Sequence, residues 1–153
     1  MIENKRILTA RQFYSASWTW GIIMSLIGAI VIGAIKLYGL FTHQAFKLKK
    51  CGYCYYLNIG KNWGGVELGM FFLCDNSNSE STMWHEHGHA IQNCFWGPLF
   101  PFVIAIPSAI RYKYRELKYL KKGITPPTKY DDIWFEGDAT RTGYKYREYL
   151  NQK

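Results

Sequence analysis

From Phe13 to Ile35 the chain carries no charged residue, its 153 residues hold no internal repeat or low-complexity tract, and acids are few, 11 against 19 Lys and Arg. The first absence marks an apolar stretch long enough to cross a bilayer with some tilt. The second excludes repeat architectures and leaves one domain's worth of chain. The third gives a net charge of +8, which invites a nucleic-acid reading. No nucleic-acid motif is present, however, and the cations cluster beside apolar segments. Lys5, Arg6 and Arg11 precede the first, Lys47, Lys49 and Lys50 follow it, and Arg111, Lys113, Arg115, Lys118, Lys121 and Lys122 follow a second. Charges that meet anionic headgroups are placed this way, so the expected partner is membrane lipid and not nucleic acid.

A small-x-small cleavage site is also missing, which favours an anchor over a secretory signal. Residues 13–41 therefore read as a transmembrane helix behind a polar lead of residues 1–12, with Trp18 and Trp20 at one interface and Tyr38 at the other. Gly21, Ser25, Ala29 and Gly33 recur every fourth position and offer a smooth face to a second helix. The general abundance of small residues in spans explains the same pattern. Both flanks are basic, so the side of the membrane stays open.

Histidine is scarce as well, four in all, yet three fall in His85-Glu86-His87-Gly88-His89. On a helix His85 and His89 share a face and can bind one zinc ion, with Glu86 beside the open coordination position. His87 points about 200° away and reads as a packed or surface residue. The helix is expected over residues 78–94, opened by a capping box of Ser77 and Glu80 and closed by Gly97-Pro98.

Upstream, residues 53–59 and 66–73 read as the strands of one β-hairpin, turning through residues 60–65. An exposed edge strand there could hold a peptide substrate extended. That register sets Cys51 opposite Cys74, while Cys51-Gly52-Tyr53-Cys54 has the form of a redox motif without the strand-then-helix setting that activates one. Buried small hydrophobes are the default for all four cysteines.

Downstream, the apolar run of residues 95–110 contains three prolines and is short for a span. A third metal ligand beyond it must return to the side of His85 and His89, so the run should be re-entrant or interfacial, unless the zinc helix itself is sunk in the membrane and the metal sits at membrane depth. A basic helix over residues 111–122 follows, then a final helix from Asp131 or Asp132. Zinc held by two histidines needs a third protein ligand, and Glu136 and Asp138 are the nearby carboxylates. They lie about 200° apart on a helix, so one can face the metal, and spacing does not choose between them. Asp131, Asp132 and Asp138 otherwise suit helix-start or solvent positions.

Several pieces together carry a resemblance: Trp63-Gly64-Gly65 with Leu68-Gly69, His85-Glu86-x-Gly88-His89 with Gln92, Gly97-Pro98-Leu99, Pro107-Ser108, and Trp134-Phe135-Glu136 with Ala139, Arg141 and Gly143. The stretch resembles a family of small bacterial membrane proteins and, more distantly, the integral-membrane gluzincins that include CAAX-prenyl-type proteases. The resemblance implies Glu136 as third ligand. It also implies an Asp four residues later that bonds a ligand histidine, where this chain has Thr140, a residue that can accept a hydrogen bond but adds no charge.

The expectation is thus an α+β membrane protein with an N-terminal transmembrane helix, a small sheet, a zinc helix, a membrane-associated segment at 95–110 and a C-terminal helix carrying the third ligand. Residues 42–153 form the metal-binding domain. Its expected function is zinc-dependent peptide hydrolysis in a bacterial or phage-encoded inner membrane, on a peptide or membrane-protein substrate, with Glu86 as general base and Arg141 or Tyr144 steadying the oxyanion. The alternative is a non-catalytic, zinc-stabilised membrane protein that binds a partner through its hairpin and first helix.

Overall fold

A computed structural model describes residues 7–77 and 79–152, so residues 1–6 of the polar lead and Asn78 at the expected helix start lie outside the described residues. Among the described residues the chain is α+β, with five α-helices and a four-stranded sheet.

The apolar stretch forms two helices where one was expected. Thr9 caps α1 (Ala10–Trp18) with a reciprocal bond to Gln12, and α2 (Ile22–Thr42) follows a break at Thr19–Gly21. Packing explains the break: a Cβ on Gly21 would lie 2.6 Å from the Asn93 amide nitrogen, and the Trp20 indole is folded over Gly97. α2 is long and apolar enough to cross a membrane by length and composition. Of the proposed small-residue stripe, Gly21 and Ser25 are buried against this chain's own domain, where the Met70 N–H donates to Ser25 Oγ, and Gly33 faces open space.

The single hairpin is not formed. β1 (Lys49–Cys51) and β2 (Cys54–Asn58) make one tight hairpin, and β3 (Gly65–Leu68) and β4 (Phe71–Cys74) make another. β2 then pairs with β4 in parallel, giving the order β1-β2-β4-β3. Gly69 is the cause, since its φ of +75° turns the chain inside what reads as one apolar strand. Cys51 consequently faces Cys54 and not Cys74, and all four cysteines are free and buried.

α3 (Glu80–Trp96) starts two residues later than expected and without the capping box, because Ser77 is held by the Asp75 carboxylate through its N–H and its hydroxyl. The apolar run after it is helical despite its prolines, passing through a 3-10 turn (Gly97–Leu99) and a π turn (Pro101–Ala105) into α4 (Ile106–Lys118). Each proline falls at the start of one of these segments, where its missing N–H is tolerated. The chain bends by 116° between α3 and this continuation, so the run folds back. α5 (Trp134–Asn151) begins after a 3-10 turn (Tyr130–Asp132) and packs along α3.

Candidate metal centre

α3 puts His85, Glu86 and His89 on the side facing the α4–α5 region, and α5 brings Glu136 across. The two helices approach closely because Gly88 meets Ala139 and Gly143 meets Trp84, with no side chain between the backbones. His85 Nε2, His89 Nε2 and Glu136 Oε2 stand 3.1 Å from one another in all three pairings. These three residues can hold a metal ion.

Hydrogen bonds around the trio test that fit. The Gln92 amide nitrogen donates to the Phe135 carbonyl at 2.8 Å and to Asp138 Oδ2 at 2.7 Å, which leaves its oxygen as acceptor for His89 Nδ1 at 2.7 Å. His89 therefore carries its proton on Nδ1 and presents a lone pair on Nε2. Its neighbours at 3.1 Å are a carboxylate oxygen and another imidazole nitrogen. Converging lone pairs repel unless a cation lies between them, and donors bound tetrahedrally at roughly 2.0–2.2 Å sit about 3.3 Å apart. His85 Nδ1 is 2.8 Å from Thr140 Oγ1, and Ser108 Oγ donates to the other Glu136 oxygen at 2.5 Å.

The electrostatics also favour a positive charge at this point. Burial works against ionising Glu136, yet His85 and His89 hold its carboxyl well below the usual range. Burial likewise disfavours a charged His85, and the neighbouring Glu136 and Glu86 carboxylates overrule it and raise its pKa. Glu86 is pushed up chiefly by burial, against the pull of both imidazoles.

Two adjoining cavities of about 510 and 230 Å³ open beside the trio, with His89 in the wall of the smaller, and share Trp63, Gly65, His85, Glu86, Tyr112 and Tyr130 in their walls. Glu86 lies against β3, where a Cβ on Gly65 would fall 2.7 Å from its Oε1. Tyr144 walls the larger cavity. Arg141 is exposed and lines neither. Asp138, expected at a helix start or in solvent, is instead buried as the anchor of Gln92. His87 is fully buried among Phe13, Tyr53, Trp84 and Tyr146, its ring accepting the Tyr53 N–H, and burial pulls its pKa down to about 3.

Ser108, Tyr130 and the role of Gln92 were not foreseen. Gln92 was legible in principle, three residues after His89 on one helix face. Tyr130 gives no local signal. It is held beside His85 by α4, whose Arg111 and Arg115 guanidiniums lie 5.9 and 5.7 Å from its ring centroid and donate to carbonyls of residues 128–130. No protein-family model, curated protein or solved structure matches this chain.

Proposed function

We propose that this protein is a membrane-associated zinc metallopeptidase of gluzincin type, with His85, His89 and Glu136 as ligands. The observation that carries the reading is the convergence of three electron-pair donors beside a buried carboxylate at the floor of a cleft. When bound, zinc supplies a Lewis acid that acidifies water and polarises a peptide carbonyl. Glu86 takes the proton from the attacking water at its carboxylate and returns it to the leaving amine, a task suited to a pKa raised by burial. The Tyr130 hydroxyl, in the wall of both cavities, donates to the carbonyl oxygen as it becomes negative, with Tyr144 farther along the cleft. Edge strand β3 offers backbone groups along which an extended peptide can lie.

The test is elemental analysis of purified protein together with cleavage of a mixed peptide library. One zinc per chain, with cleavage abolished in Glu86→Gln at unchanged zinc content, is the expected result. Zinc without any cleavage would move the chain to the non-catalytic reading, and no zinc at all would overturn both.

A further inference from the structure

α2 divides lengthwise. Met24, Ser25, Gly28, Ile32 and Gly39 are buried, whereas Ile30, Leu40 and Phe41 on the opposite side are 70, 74 and 77% exposed, and Lys36 is the one charge in the helix. The outward face is thus a continuous apolar strip about 30 Å long at 1.5 Å per residue. A second strip adjoins it. Met24 packs with Phe100 and Ile104, and the same run turns Leu99, Phe102, Ile106 and Ile110 outward. Soluble surfaces rarely leave apolar areas of this extent open.

What covers the inner side of α2 decides how such a face can meet lipid. Gly28 sits against the Leu68 carbonyl and Phe71, and Ile32 packs with Leu57 and Leu73, so the middle of α2 lies on β3 and β4. The outer edge of β3 lines the metal cleft, but the opposite edge, β1, carries exposed Lys49 and Lys50, in register through β2 with Phe72 and Phe71 of β4. If α2 crossed a bilayer, those two cations, level with its middle, would sit at hydrocarbon depth facing lipid, a costly position for charge. α5, packed behind α3, exposes Arg141, Lys145 and Glu148 to water.

We infer that the chain docks on an anionic bilayer surface with α2 lying in the membrane plane, its outer half sunk among the acyl chains and its inner half still bound to the sheet. Charge complementarity supplies the choice of lipid. Lys36 flanks the strip on α2, and exposed Lys113, Lys118, Lys121 and Lys122 flank the one that ends in α4, against a single acid in that segment, Glu116. Amphipathic helices with basic margins bind the headgroup boundary in this manner. The inner side of the same run, through Phe100, Ile104 and Ser108, walls the metal cleft. A cut made there would therefore fall on a chain held along the bilayer, a consequence that alone rests on the peptidase reading.

The experiment needs no activity. Full-length protein is floated with vesicles of phosphatidylcholine containing a quarter phosphatidylglycerol, and with phosphatidylcholine alone. Separately, reporters at the amino and carboxyl termini are tested for sidedness in cells. Preferential flotation with the anionic vesicles, a loss of about tenfold for each of Ile30→Glu and Phe41→Glu, and both termini on one side are expected. Termini on opposite sides of the membrane would overturn the in-plane arrangement. Failure to float, with the chain instead a dimer that Ile30→Glu dissociates, would assign the face to a second copy and overturn the lipid proposal.

Discussion

Gly88 of α3 lies so close beneath the Ala139 carbonyl of α5 that a Cβ on it would fall 1.9 Å from the oxygen. The metal trio depends on this contact, since Glu136, one turn before Ala139, reaches the imidazoles only when the helices touch backbone to backbone. Gly143 makes the matching contact at the other end, where a Cβ would fall 1.8 Å from the Trp84 carbonyl oxygen.

Gly88→Ala or Gly143→Ala should therefore push α5 outward, costing about 1–3 kcal/mol of stability and lowering zinc occupancy together. Gly33→Ala, on open helix surface, should change neither. Thermal unfolding with metal analysis on the three variants checks this. Full zinc occupancy in Gly88→Ala would separate the helix contact from the site.

Ligand identity is tested by removal. Glu136→Ala should take zinc from one per chain to none, while Asp138→Ala should weaken binding without abolishing it, because Asp138 acts through Gln92 and His89. Gln92→Leu should do the same, in the range of roughly 10–100-fold, since the His89 tautomer is no longer fixed. Competition titration against a chelator reads each value. Equal losses for Glu136→Ala and Asp138→Ala would leave the ligand assignment without support.

The sequence carries the His85–His89 pair openly because a four-residue period is local. It does not choose Glu136 over Asp138 from spacing, because that choice depends on how α5 is rotated against α3, which Gly88 and Gly143 set. The resemblance supplied Glu136 and pointed to Thr140 beside a ligand histidine, the position in which the Thr140 hydroxyl lies. The sheet was misread for a related reason. Residues 66–73 look like one strand, and the positive φ at Gly69 makes them two, after which the β2–β4 pairing is non-local and invisible to any pattern along the chain. Tyr130 escaped because its place beside His85 depends on α4 and its arginines, two elements away from α3.

Metal affinity should fall as pH falls. Zinc needs the neutral His85 ring, and in the metal-free fold the neighbouring carboxylates raise its pKa above the ordinary 6.5, so proton competition sets in above that pH. Glu136, held low, remains ionised through the same range and adds nothing to the dependence. Below the onset, the apparent dissociation constant should rise by at least about tenfold per pH unit, the slope of one displaced proton. A flat profile between about pH 8 and 5 would mean that neither imidazole binds the metal.

Thr140 separates metal binding from catalytic tuning. Its hydroxyl is 2.8 Å from His85 Nδ1, and a threonine there orients the ring without adding negative charge. Thr140→Val removes the acceptor and should weaken zinc binding by roughly 10–100-fold, because the buried ring nitrogen loses its partner. Thr140→Asp keeps the acceptor and adds a charge that makes the imidazole a stronger donor to the metal, so affinity should rise over the wild type. If peptide cleavage occurs, it should change in the same direction for Thr140→Asp while Glu86→Gln stays inactive. A Thr140→Asp variant that binds zinc more weakly than Thr140→Val would show that this face of His85 does not accept a carboxylate, and that the threonine is a fitted part of the site.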